Sequence, residues 1–454
     1  MKEFHNLPAS KLISPSGFEC DCGKTHIARG LRSINIGSGI ISTLPSVLRE
    51  LSISKPFIVT DKNEYEAAGR QAEALLLEAG VPYRLHVIPT ADGERVAPAE
   101  LATGSVALNF DVSCDGILCV GSGVMNDLCK VMSNITGRPS VVIATAPSMD
   151  GYASDGAAME VNNIKLSLKQ VIPAALICDT DIMAEAPMHM LHAGLGDMMG
   201  KFSALSEWKI ARLILGESYC AETAKLVGVS LDKIINASSG ISERNRQSIA
   251  AITEGLILSG IAMAFAETSR PASGLEHYFS HCWEMMAIAR GEECELHGIQ
   301  VGVGTILTLK IYEHLKDIRP TMERVYTHAD SFDDAAWEAN IRRVFSDTAD
   351  DIIAMEKKTR KNERGGRNAR AERIIANWDE ILKIAEDTPK ASDIEAIMKS
   401  VGMPTRPSDI GVSNRDVIDA FICSRDVREK YLLSSMIWDI GYMEEFAKWL
   451  EENI

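Results

Sequence analysis

The chain has 454 residues, of which 46% are hydrophobic and 24% charged, and a formal net charge of −16. That length is too great for one ordinary core and gives two domains as the default. The acidic balance argues against a nucleic-acid binder or a protein held to anionic lipid. An anionic substrate would need local positive help from a metal, helix N-termini or a few Lys and Arg.

Taken in chain order, the opening stretch MKEFHNLPASKLISPSG carries no apolar signal-peptide core. Ten cysteines are scattered without a framework, which reads as reduced thiols in a cytoplasmic protein. Cys20, Cys22 and His26, in CDCGKTH, resemble half of a zinc knuckle. No second Cys pair follows at a matching distance, so they read as a small N-terminal turn.

Residues 31–39, LRSINIGSG, read as a short strand entering a glycine turn, and a helix follows over 44–51. PFIVTDKN is a buried-strand pattern ending at Asp61. A helix over 65–79, the strand YRLHVIP and a helix over 94–108 come next. CDGILCVGSGVMNDLCKVMSNITG then gives a strand over 116–120, a tight turn, and a helix carrying Asp127 and Lys130. SVVIATAPSMDGYASDG is a further strand opening into a polar loop. Strands alternating with helices predict a Rossmann-like α/β domain with a parallel, doubly wound sheet, over residues 1–181.

From Met183 onward helical periodicity dominates, over 194–215, 245–267, 276–290, 301–315 and later segments, with no convincing strand. Residues 182–454 are therefore expected to form an all-α second domain. The longest apolar-rich run, 257–265, is too short to span a bilayer, so no membrane insertion is expected. The basic stretch over 356–373, EKKTRKNERGGRNARAER, reads as a solvated helix face broken by a loop at Gly365-Gly366. The tail over 425–450 reads as a closing helix pair.

Three features carry chemistry. Gly121-Ser122-Gly123 lies directly after a strand and before a helix, which aims backbone N–H groups and a helix N-terminus at an anion. Position 126 is Asn, so the G-x-G-x-x-G fingerprint is incomplete. Gly37-Ser38-Gly39 is a second such turn. Asp61, at the end of the next strand, can accept from a ribose 2′-hydroxyl and would repel a 2′-phosphate, which favours NAD over NADP. Second, in GLGDMMGK, Asp197 begins a predicted helix as a capping residue, while the flanking glycines suggest packing that turns the carboxylate inward. Third, His277 and His281 stand at i and i+4 on one helical face, and His297 follows in LHG. Two histidines alone do not make a catalytic metal site; a third protein ligand is needed, with one position left open.

GLGD-x-x-GK, SG-x-EH-x-FSH and LHG-x-x-VG-x-GT, together with GSG-x-x-x-D and TAPS-x-DGYAS, resemble the sn-glycerol-1-phosphate dehydrogenases. These belong to the superfamily of iron-type alcohol dehydrogenases, glycerol dehydrogenases and dehydroquinate synthases. The resemblance runs over nearly the whole chain and implies a dehydroquinate synthase-like fold. It also implies a metal- and NAD(P)-dependent interconversion of dihydroxyacetone phosphate and sn-glycerol 1-phosphate by a homo-oligomer, such as a dimer. It assigns Asp197, His277 and His297 to one divalent ion, zinc or nickel. It assigns His281 and Asp150, with Asp197, to the substrate. It assigns Gly121, Gly123, Val124, Met125, Asn126, Asp127, Thr145, Ala146, Pro147, Ser148 and Ser154 to the nucleotide. Val124-Met125-Asn126 departs from the family's usual arginine or serine followed by aliphatics. Lys201 and Lys165 are candidate phosphate contacts. A lyase or cyclase of the dehydroquinate synthase type, a glycerol dehydrogenase, and a nucleotide-binding regulator without chemistry are the other readings.

Overall fold

A computed structural model describes residues 3–90, 95–161 and 164–454 of the chain. They pack into two compact units. The first comprises Met1–Met198 and Ala221–Thr268, the second Met199–Cys220 and Ser269–Ile454. Periodicity alone divides the chain once, near residue 181. Packing instead returns the helices Ala221–Ala237 and Arg246–Ala266 to the first unit.

The first unit opens with a short antiparallel hairpin, β1 (Phe18–Glu19) and β2 (Thr25–His26). Its main sheet uses β3 (Ser33–Gly37), β4 (Pro56–Thr60), β5 (Arg84–Val87), β6 (Gly116–Gly121) and β7 (Ser140–Ala144). Two further segments, β8 (Gly156–Val161) and β9 (Ile164–Lys169), pair as a hairpin of their own. The last, β10 (Ala175–Asp179), returns to the main sheet. Its order is β3-β10-β7-β6-β4-β5, and every pairing is parallel. Strands β4, β6, β7 and β10 are buried along their whole length. Such strands read as unbroken apolar runs because helices cover both faces of a parallel sheet.

The hairpin β8–β9 follows the polar loop, in a stretch to which the sequence assigned no element. Side chains of the preceding helix tie its backbone down, since Asp127 accepts from Ala158 N at 3.0 Å and Lys130 donates to Gly156 O at 2.8 Å. The helix expected from Glu94 begins at Glu100 and runs to Asn109; Glu94 itself lies outside the described residues. The helix Arg246–Ala266 is long and apolar enough to cross a membrane by length and composition, but two thirds of its most apolar window is buried inside the protein. Asn245 caps it by accepting from Gln247 N and Ser248 N.

Every regular element among the described residues of the second unit is a helix. Its core gathers Phe279, Trp283, Leu307, Ile311, Phe421 and Met436 among many others. Most of the basic stretch is exposed, as a solvated face would be, but two of its arginines turn inward. Arg367 is buried with its guanidinium 3.9 Å from the Trp438 ring centre and donates to Trp438 O at 2.9 Å. Arg370 grips Asp439 through two bonds of 2.7 and 2.8 Å. Gly365 and Gly366 do not break the helix; both lie in the first turn of Arg364–Ala376. These cations turn inward because the Asp439 side chain, backbone carbonyls and an aromatic face meet them there.

Candidate active site

In the first unit the loops leaving β6 and β7 carry the expected nucleotide residues. After β6 the chain turns through Ser122 into the helix Gly123–Thr136, and Ser122 makes no side-chain cap bond to it. Its hydroxyl and N–H donate instead to Glu64, at 2.7 and 2.9 Å. The first-turn amides of a 14-residue helix are thus left for an anion. A Cβ on Gly121 would stand 1.7 Å from Glu64 Oε2 and 2.6 Å from Met125 Cβ, a close approach that favours glycine. Burial, then the charge of Asp61, pushes the Glu64 carboxyl up to about 8. It is therefore neutral at pH 7 and does not oppose a pyrophosphate. Met125 and Asn126 are buried, and Val124 is half-buried. Asn126 donates to Asp127 at 3.2 Å.

Asp61 closes β4 and accepts from Glu64 N at 2.8 Å as the N-cap of a short turn, Lys62–Glu64. Thr145, Ala146, Pro147 and Ser148 form the buried exit from β7, and Thr145 N donates to Gly121 O at 3.2 Å. Tyr152 braces this loop by donating to Ala146 O at 2.7 Å. Ser154 is buried, 3.5 Å from the Lys130 ammonium. The second glycine turn, Gly37-Ser38-Gly39, is bound internally: Ser38 donates to Asp181 and Gly39 N to Asp179.

Asp197 is not an N-cap. It lies in the last turn of the helix Met188–Met199, which ends before a second helix, Lys201–Leu215. Its carboxylate is buried, and Oδ2 accepts from Asp150 N at 2.9 Å. Asp150 in turn accepts from Ser259 Oγ at 2.9 Å. The glycine preceding this pair is forced, because a Cβ on Gly194 would lie 1.8 Å from Pro147 O. The helix that carries Asp197 thereby lies directly on the TAPS loop.

In the second unit, the helix Leu275–Arg290 carries His277 and His281, and His297 opens the helix His297–His314. The helices touch so closely that a Cβ on Gly304 would stand 2.6 Å from Glu276 O. The three rings form one cluster, with centroids 5.4 Å apart for His277–His297, 5.3 Å for His281–His297 and 6.5 Å for His277–His281. Glu276 is wholly buried and accepts from Ser203 Oγ, Gly274 N and His277 Nδ1, at 2.6, 2.5 and 2.8 Å. Burial alone would raise this carboxyl, but the bonds from His277, Ser203 and Gly274 more than offset it and hold it below the usual range. An ionised carboxylate only accepts, so His277 Nδ1 carries the proton and Nε2 the lone pair. His297 Nδ1 meets Ser280 Oγ at 2.9 Å and Glu284 at 3.3 Å, which fixes the same tautomer. Burial, and then the charge of Arg428, pushes His281 well below the usual imidazole range, so it is neutral.

Glu64, Glu276, Glu284, Ser259 and Ser280 were not singled out from sequence. Only Glu276 had a signal, its place directly before His277. His281, Glu284 and His297 also form a group whose donor atoms all lie within 4.8 Å of one another. Lys201 is buried and donates to Ala272 O at 3.0 Å. The Lys165 side chain lies outside the described residues.

The iron-containing alcohol dehydrogenase family profile matches residues 35–187. A glycerol-1-phosphate dehydrogenase [NAD(P)+] from Bacillus licheniformis is 33% identical over 299 residues, covering 65% of this chain and 74% of the relative. The chain belongs to the glycerol-1-phosphate dehydrogenase family. A family member from Halalkalibacterium halodurans is 28% identical across 94% of this chain and 97% of its own length. Among solved structures, glycerol dehydrogenase from Schizosaccharomyces pombe superposes with a TM-score of 0.60 at 13% identity, covering 96% of this chain and 94% of that one. At that identity the likeness is one of fold.

Proposed function

We propose that the chain is a metal-dependent NAD(P)H oxidoreductase interconverting dihydroxyacetone phosphate and sn-glycerol 1-phosphate. Asp197, His277 and His297 are the ligands of one divalent ion, zinc or nickel. The observation that carries the reading is the pair of histidines held from behind through Nδ1, His277 by Glu276 and His297 by Ser280 and Glu284. This backing raises ligand basicity and fixes both imidazoles as Nε2 donors. When bound, the ion polarises the ketone and the reduced nicotinamide supplies the hydride.

The chain's own residues do the rest. The Asp150 N–H holds the Asp197 carboxylate in one orientation. His281, neutral, hydrogen-bonds the substrate and relays the proton that completes the alcohol, taking one from solvent on one ring nitrogen as it gives one from the other. The uncapped amides after Ser122 receive the pyrophosphate, and neutral Glu64 holds that turn without repelling it. Asp61 reads the ribose, favouring NADH.

Metal-loaded protein should oxidise NADH with dihydroxyacetone phosphate and much more slowly with dihydroxyacetone, which separates this reading from a glycerol dehydrogenase. No net NADH consumption would support the lyase reading, in which NAD stays bound. The reading also places the enzyme in the cytoplasm as a homo-oligomer; a monomer by light scattering would remove that last part.

A further inference from the structure

We propose a second metal site, structural and thiolate-bound, in the β1–β2 hairpin: Cys20, Cys22 and His26 together hold one zinc ion. The sequence offered only half a knuckle here. The fold brings the Sγ atoms of both cysteines and a ring nitrogen of His26 within 4.8 Å of one another. The turn between the strands is closed by Gly23 N to Cys20 O at 3.0 Å and Cys20 N to Lys24 O at 3.1 Å. Both cysteines thereby sit on one tight turn, with His26 on the returning strand.

The decisive feature is the histidine. His26 is buried, and its Nδ1 lies 2.8 Å from Phe265 O. A carbonyl can only accept, so Nδ1 carries the proton and Nε2 the lone pair. That lone pair faces Cys22 Sγ at 3.3 Å. A tetrahedral zinc ion with ordinary bond lengths holds sulfur and nitrogen ligands about 3.5 Å apart. A ligating histidine whose other nitrogen donates to a backbone carbonyl is the usual support for such an ion. Binding displaces the two thiol protons, leaving thiolates. The ring is further fixed by Phe4 and Phe265, at centroid distances of 5.4 and 5.5 Å. Phe265 belongs to the helix Arg246–Ala266, so the ion would pin the hairpin to the helix whose Ser259 holds Asp150.

Structural zinc takes four ligands. Cys220 is the cysteine to test for the fourth. It is bonded to Ala221, the first residue of the helix Ala221–Ala237, and Glu222 of that helix meets His5 of the N-terminal segment at 2.7 Å.

Cobalt(II) separates this site from the catalytic one, because only thiolate ligands give a sulfur-to-metal charge-transfer band in the near ultraviolet. Reduced, full-length protein loaded with cobalt should show that band. It should persist in His297→Ala and vanish in the Cys20→Ser, Cys22→Ser double variant, whose zinc content should fall by one ion per chain. Its loss or weakening in Cys220→Ser identifies the fourth ligand. No thiolate band in cobalt-loaded wild type overturns the proposal, as does an unchanged band in the double variant; an unchanged band in Cys220→Ser overturns the choice of Cys220. If the double variant does not fold, the wild-type band decides. Protection of Cys20 and Cys22 from alkylation, lost on chelation, then provides the second readout.

Discussion

Gly194 stands against Pro147 so closely that a Cβ would lie 1.8 Å from the Pro147 carbonyl oxygen. One contact therefore couples the helix bearing Asp197 to the loop proposed to hold the nucleotide. In Gly194→Ala either the helix or the loop must shift. Overpacking of this kind costs about 1–3 kcal/mol. Chemical denaturation should register that loss, and NADH affinity should fall with it. Wild-type stability together with wild-type affinity would mean that the contact relaxes freely.

Glu64 makes the pH dependence testable. Its carboxyl is pushed up to about 8 from an ordinary 4.5, by burial first. Between those values the folded chain keeps a proton that the unfolded chain has released. This contribution to stability is fully present below about pH 4.5 and is lost as pH rises through about 8. Glu64→Gln keeps the neutral shape, so its stability should decline less over that window. Glu207, pushed up to about 7 by burial, leaves some slope in both proteins. Identical slopes would contradict the assignment.

The histidine cluster offers two ligand sets. His277→Ala should lose the divalent ion. His281→Ala should keep it while kcat/KM for dihydroxyacetone phosphate falls roughly 10²–10⁴-fold, the worth of a positioned proton-transfer group. Metal analysis of both variants decides. Retention in His277→Ala with loss in His281→Ala would move the ion to His281, Glu284 and His297, whose donors also converge.

Asp61 already caps the turn Lys62–Glu64 through Oδ1, so its reading of the ribose depends on the rest of the carboxylate. Asp61→Ala should narrow the ratio of kcat/KM for NADH over NADPH. A ratio unchanged from wild type would leave Asp61 as a cap alone.

The α/β architecture was legible because PFIVT, GILCVG and SVVIA are runs that only a doubly covered parallel sheet buries whole. The hairpin Gly156–Lys169 was not, since β8 reads GAAMEV, whose alternating burial over the first five residues is not matched by an alternation of polar and apolar residue types. Charge counting read the exposed part of the basic stretch and missed the inward turn of Arg367 and Arg370, because nothing local announces that Trp438 and Asp439 will meet them. The histidine spacing was visible, but the carboxylates behind it were not. Which acid turns toward an imidazole depends on helix packing, here fixed by Gly304 against Glu276. The return of residues 221–268 to the first unit is likewise a matter of packing, which helical periodicity does not encode.

The central claim is a reduction that sets one stereocentre. Metal-loaded enzyme supplied with dihydroxyacetone phosphate and NADH should yield glycerol phosphate, and chiral analysis of that product is the direct test. The account predicts sn-glycerol 1-phosphate alone. Formation of sn-glycerol 3-phosphate, of a racemate, or of no reduced product would contradict it.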